Sequence, residues 1–143
     1  MEEIINQCQN LYIEIRPSHI VKGQVGIFAI RDIPKNSILF YNYFTPDNIN
    51  KIEIEKLHNL KISKNVIHIL KKYYAHNNKS IELPNELILS YTNYLNHSET
   101  PNIIYNMEDK SYHTSMDIKK DDEILINYND NYCPSCIDFN VLK

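Results

Sequence analysis

Along the first 44 residues, hydrophobic and polar positions alternate largely with the period of a strand. "LYIEI" (11–15) ends at Arg16-Pro17, where proline restricts its predecessor to extended or turn geometry, and this predicts a short first strand. "VGIFAI" (25–30) and "SILFYNYF" (37–44) are β-branched and aromatic runs joined by "RDIPKN", whose Pro34-Lys35-Asn36 supplies turn chemistry. These two runs are predicted to pair antiparallel.

From Thr45 the period lengthens. Thr45-Pro46-Asp47 is a helix-start signal, and "DNINKIEIEKLHNLK" (47–61) sets Ile49, Ile52, Lys56 and Leu57 at helical spacings. "SKNVIHILKKYYAH" (63–76) sets Val66, Ile67, Leu70, Tyr73 and Tyr74 on one face of a second helix capped by Ser63. After Pro84, "NELILSYTNYLNH" (85–97) has mixed periodicity and fits helix or extended chain. "NIIYNMEDKSYHTSM" (102–116) reads as a hairpin turning at Asp109-Lys110, and "DEILINY" (122–128) as a last strand. No internal repeat or linker interrupts this pattern. It describes one domain over residues 1–143, mostly β with a helical insert at about 46–80, an α+β chain.

Composition narrows the classes of function. With 143 residues and 43% hydrophobic content, the chain can bury a core of its own. The start, "MEEIINQCQN", lacks a basic segment followed by an apolar run, and no stretch nears the roughly 20 apolar residues of a membrane span. An intracellular, soluble protein with no membrane partner is expected. Cys8, Cys133 and Cys136 form no disulfide framework, which fits a reducing compartment, where the sequons at Asn78 and Asn96 are inert. The net charge of −3 is spread out, with no Lys/Arg block, so direct nucleic-acid binding is disfavoured and a basic peptide is compatible.

Most candidate chemistry reads as ordinary structure. His97-Ser98 has no Gly-x-Ser-x-Gly elbow around it, which argues against a hydrolase. His58, His68 and His76 are not spaced to share a helix face, and Cys133-Pro134-Ser135-Cys136 supplies two ligands where a structural zinc needs four, so no metal is expected. A tyrosine ending an apolar strand, as Tyr128 does, is usually a packed amphipathic residue.

Three segments taken in order carry more. The first is Gly26-Ile27-Phe28-Ala29 with Arg31-Asp32 and Ile33-Pro34-Lys35. The second is Asn96-His97-Ser98 with Pro101-Asn102. The third is Asp117-Ile118, Asp121-Asp122-Glu123-Ile124 and Tyr128. This series resembles the landmarks of the SET domain, the family of S-adenosylmethionine-dependent lysine methyltransferases, over about residues 11–132. In size the chain resembles the small stand-alone members, viral ones included, that lack a zinc-binding segment after the last strand and in some cases form homodimers. Three positions depart from the family pattern. Its Gly-x-Gly is Gly23-Gln24-Val25-Gly26 here, the Cys often following Asn-His-Ser is Glu99, and the Gly-Glu-Glu turn is Asp121-Asp122-Glu123.

The resemblance implies several short antiparallel sheets around a pseudoknot-like C-terminal threading, S-adenosylmethionine as cofactor, and a lysine in an extended peptide as substrate, with a histone tail foremost. A nuclear site of action follows if histones are the substrate. The resemblance puts Tyr128 beside the transferring methyl group, with Tyr132 as a second wall of the lysine channel. It puts Asn96 and His97 at the adenosyl part of the cofactor, and the turn with Lys22, Gly23, Gln24, Gly26 and Phe28 at its methionine end. The peptide is expected to add as a strand in a groove lined by the helical insert. A SET-fold module that binds peptide without catalysis is the alternative, favoured only by the altered glycine turn.

Overall fold

The computed structural model describes residues 1–41, 49–87 and 89–129. In chain order the elements are α1 (Glu2–Gln9), β1 (Ile13–Pro17), β2 (Val25–Ala29), β3 (Ile38–Tyr41), β4 (Ile49–Glu53), α2 (Ile54–Asn59), α3 (Lys64–Tyr73), β5 (Ser80–Pro84), a 3-10 turn (Tyr91–Tyr94), β6 (Asn96–His97), β7 (Ile103–Asn106), β8 (Ser111–Thr114) and β9 (Glu123–Ile126). They divide into two compact units, Met1–Asn42 with Tyr94–Asn127, and Tyr43–Asn93 with Tyr128–Lys143.

The first unit holds two sheets. One has the order β1-β2-β9-β6, so the last strand among the described residues is inserted between two earlier ones instead of being added at an edge. It runs antiparallel to β2, with Ile27 opposite Ile124 and Phe28 opposite Glu123, and parallel to β6, with Asn96 opposite Leu125. Strands flanked on both sides are short of solvent, which is why "VGIFA" and "EILI" are nearly continuous apolar runs. Ile27, Phe28, Ala29 and Ile124 are wholly buried. The other sheet has the order β3-β8-β7. Its Tyr112 ring lies between Phe40 and Tyr105, at centroid distances of 5.0 and 4.9 Å.

The β7–β8 hairpin forms as the pattern predicts, with Lys110 in the left-handed region at φ 57°. The predicted pairing of the second and third strands does not form. Instead of closing a hairpin, the "RDIPKN" segment bonds to residues 114–118. The Ile33 amide donates to the Ile118 carbonyl at 2.7 Å, the Lys35 amide to Asp117 Oδ1 at 2.8 Å and the Asn36 amide to the Thr114 carbonyl at 2.9 Å. These bonds carry the chain to a different sheet, where β3 pairs with β8. The first strand starts at Ile13 and runs through Pro17, which is tolerated because β1 is an edge strand. Helix α1, at residues 2–9, had no clear signal in the sequence pattern.

In the second unit, β4 and β5 pair antiparallel from Ile49–Pro84 to Glu53–Ser80. Ile54, Leu57, Ile67, Leu70, Tyr74, Ile81 and Leu83 form its core. The helix predicted over 47–61 is helical only at Ile54–Asn59, because residues 49–53 find a ladder partner in β5 and tertiary pairing overrides helical spacing. The Thr45-Pro46-Asp47 start signal lies outside the described residues. Helix α3 forms under the predicted cap, with Ser63 Oγ accepting from the Val66 amide at 3.3 Å. Of its predicted face, Ile67, Leu70 and Tyr74 are buried, whereas Val66 is exposed.

Candidate active site

Because β9 lies between β2 and β6, it brings together three residues far apart in sequence: Gly26, Asn96 and Glu123. Glu123 is 8% exposed, and its carboxylate accepts from neutral donors. Its Oε1 takes the His19 amide at 2.7 Å and the Ser18 hydroxyl at 3.0 Å. Its Oε2 takes the Ser18 hydroxyl at 2.9 Å and Asn96 Nδ2 at 3.2 Å. Asn96 Nδ2 also reaches the Val25 carbonyl at 3.0 Å and Ser18 Oγ at 3.2 Å. Among the described residues, both ion pairs are made by Arg16, to Glu14 and Asp121, and neither involves Glu123. A buried carboxylate with these donors is satisfied only while every donor stays in place.

The network closes the loop before β2. Ser18 Oγ accepts from the Ile20 and Val21 amides at 3.1 and 3.0 Å, and the Ser18 amide donates to the Gln24 carbonyl at 2.8 Å. The two glycines of this segment serve different ends. Gly23 lies at φ 79°, in the left-handed region, with open space where a Cβ would stand. Gly26 is needed for room, since a Cβ there would lie 2.9 Å from Glu123 Oε2 and 3.1 Å from Asn96 Nδ2. The first glycine, though displaced from the family spacing, still supplies the left-handed turn. Asp121 supplies another at φ 72°, where the family has glycine.

The remaining site residues fall as follows. Lys22 is exposed and Gln24 half-buried on the same loop. Phe28 is wholly buried, its ring centroid 4.8 Å from that of His19 with the Arg16 guanidinium 5.5 Å away, so it supports the loop from inside the fold. Asn96 turns its amide nitrogen inward, while His97 is half-buried opposite Ile126. Asn102 bonds along one edge of β9: Nδ2 donates to the Glu123 carbonyl at 2.9 Å and Oδ1 accepts the Leu125 amide at 2.8 Å, so its side chain acts as a strand edge. Tyr128, half-buried, follows β9 and belongs to the second unit; burial pushes its hydroxyl up to about 12. Tyr132, with Cys133 and Cys136, lies outside the described residues. Sequence reasoning missed Ser18. It treated Glu123 as part of a strand motif, and no local pattern marks either as half of a buried pair.

The second unit carries an apolar groove of about 410 Å³, lined by Val66, Ile69, Leu70, Tyr73, Leu87 and Leu89 among others.

The SET domain family model matches residues 24–129. That span covers most of the chain, including β2, β6 and β9, and the chain belongs to the SET-domain family, a family of lysine methyltransferases. The crystal structure of a Plasmodium falciparum protein provisionally named a histone methyltransferase is 25% identical, with 85% of this chain and 96% of that one covered at a TM-score of 0.45, a likeness too loose to carry a point of geometry. No curated protein sequence gives a match.

Proposed function

We propose that this chain is a protein-lysine N-methyltransferase that uses S-adenosylmethionine. The observation that carries the reading is the closed 18–26 loop. Its tip is a left-handed glycine facing open space, and it is bonded to Asn96 of the Asn-His-Ser motif through one buried carboxylate. An open glycine turn lets a ligand approach backbone closely, so the residues fit the group. The cofactor, when bound, supplies the electrophilic methyl of its sulfonium. Lys22, Gly23 and Gln24 hold its methionine end, and Asn96 and His97 hold the adenosyl part, Asn96 through its backbone because its amide nitrogen is engaged within the fold.

Methyl transfer needs a neutral amine held in line with the methyl group, whereas free lysine, with a pKa near 10.4, is almost wholly protonated at neutral pH. Tyr128 meets the positioning half of this demand. Burial pushes its hydroxyl up to about 12, so as a neutral phenol it can orient the nitrogen, while desolvation in the channel disfavours the ammonium form of the lysine. An extended lysine peptide, a histone tail first, is the substrate class. The peptide is expected to add as an extended strand in a groove lined by the helical insert. The reading without catalysis loses its main support, since Gly23 still provides the left-handed turn.

The test is transfer of radiolabelled methyl to core histones. Wild type transfers label, and Tyr128→Phe lowers the rate about 100-fold, in the range typical of a positioned hydrogen-bonding group. An unchanged rate removes Tyr128 from the role given to it. Absence of any calorimetric heat with S-adenosylmethionine rejects the enzyme altogether.

A further inference from the structure

The role of Glu123 is not covered by the methyl-transfer chemistry. Its carboxylate is buried, its partners are the hydroxyl of Ser18, the amide of His19 and the amide of Asn96, and the Ser18 hydroxyl in turn holds the amides of Ile20 and Val21. Three successive amides of the loop are thus fixed directly or through one hydroxyl by a single side chain on β9. The same carboxylate oxygen that meets Asn96 stands 2.9 Å from where a Cβ on Gly26 would be. The arrangement has two ends, the loop and the β6 motif, and the carboxylate is the joint between them.

The geometry points to Glu123, acting with Ser18, as a positioning residue that sets the affinity for S-adenosylmethionine by locking the 18–25 loop to Asn96 of the Asn-His-Ser strand. This rests on the cofactor reading above and goes beyond it by naming residues that do not themselves touch the cofactor. Hydrogen bonds to an ionised carboxylate are stronger than neutral ones, and an amide in its place presents a donor to donors at one end. Glu123→Gln therefore keeps shape and volume while leaving either the Asn96 amide or the Ser18–His19 end mismatched. A ligand that needs the loop and the strand in register must then order them itself, and its affinity falls by the population of the ordered loop.

The experiment has three arms on the full chain. Calorimetry and steady-state kinetics with S-adenosylmethionine and core histones are run on wild type, Glu123→Gln, Ser18→Ala and the double variant. Hydrogen exchange is followed at the His19, Ile20 and Val21 amides, with the α3 amides of the second unit as the internal control. The expected result is a roughly tenfold rise in Kd and KM for S-adenosylmethionine in each single variant, with kcat within about threefold. The double variant should be little worse than either single one, because the two residues act as one unit. The three loop amides exchange at least about tenfold faster while the α3 amides keep their rates.

A Kd within twofold of wild type in Glu123→Gln overturns this inference and leaves the cofactor reading standing. Equal acceleration of the α3 amides overturns it too, since Glu123 is then a residue of general stability. If wild type shows no heat with S-adenosylmethionine although the loop amides do loosen in the variant, the cofactor reading fails and the positioning role falls with it.

Discussion

Two interior sites, one in each unit, are held together by different forces. In the first, a buried carboxylate, a buried amide and a glycine with no room for a methyl meet where β2, β9 and β6 adjoin. In the second, seven apolar side chains from α2, α3, the C-cap of α3 and β5 fill the core. A polar joint of this kind specifies residue types, because each donor has one acceptor and a swap strands a partner. An apolar core specifies volume and pattern, which many sequences satisfy. The difference separates two kinds of buried position, one intolerant of changed chemistry and one intolerant of lost volume.

The largest stability effect is expected in the apolar cluster of the second unit. Ile81 is 1% exposed on β5, and Ile81→Ala removes its packing and leaves a cavity. A loss of about 3 kcal/mol is expected, read from the urea midpoint. Replacement by Val at the same position should cost about 1 kcal/mol. Equal losses for Ala and Val would mean that shape governs this core after all, and the contrast with the first unit would collapse.

Gly26→Ala comes next. The added methyl would sit 2.9 Å from Glu123 Oε2, so either the carboxylate or β2 has to move. Overpacking of this kind costs about 2 kcal/mol, and here it should be accompanied by faster exchange of the His19 amide, whose acceptor is displaced. Gly23→Ala in the same loop meets nothing, and its penalty of about 1 kcal/mol comes from the left-handed φ of 79° alone. The pair separates room from backbone freedom: Gly23→Asn, which tolerates that conformation, should recover most of the loss, whereas Gly26→Asn should be worse than Gly26→Ala.

The same contrast explains what could be read from the sequence. Asn96, Pro101-Asn102 and Glu123 were legible as a motif through their resemblance to the family's landmarks, and Asp121 as a departure from them. Their individual duties were not. Asn102 proves to be an edge for β9, and Gly26 a clearance for Glu123, and both depend on strands adjacent in space but about 20 or more residues apart. In the second unit the spacing of Ile49, Ile52 and Leu57 suits a helix, yet residues 49–53 pair with β5, whose existence no local pattern announced. The "RDIPKN" turn was recognised as a turn, but its bonds to residues 114–118 decide which sheet β3 joins.

The smallest effect concerns how far a carboxylate joint depends on burial. Asp109, in the β7–β8 turn, repeats the chemistry of Glu123 in solvent: its Oδ1 accepts the Ser111 hydroxyl at 2.6 Å and the Ser111 amide at 3.0 Å. These bonds, the hydroxyl first, hold the Asp109 carboxyl below its usual value, with His113 adding a smaller pull. A carboxyl depressed in the folded state contributes stability that is present above its unfolded pKa of about 3.9 and is lost as pH falls through the folded value. Asp109→Asn should therefore leave stability at neutral pH nearly unchanged and flatten the acid limb of the stability curve below pH ~4, by less than any effect above because the group is exposed. Chemical denaturation of wild type and variant at a series of acid pH values measures it. An acid limb that is identical in the two proteins would show that the Ser111 bonds give this carboxylate no preference for its charged form.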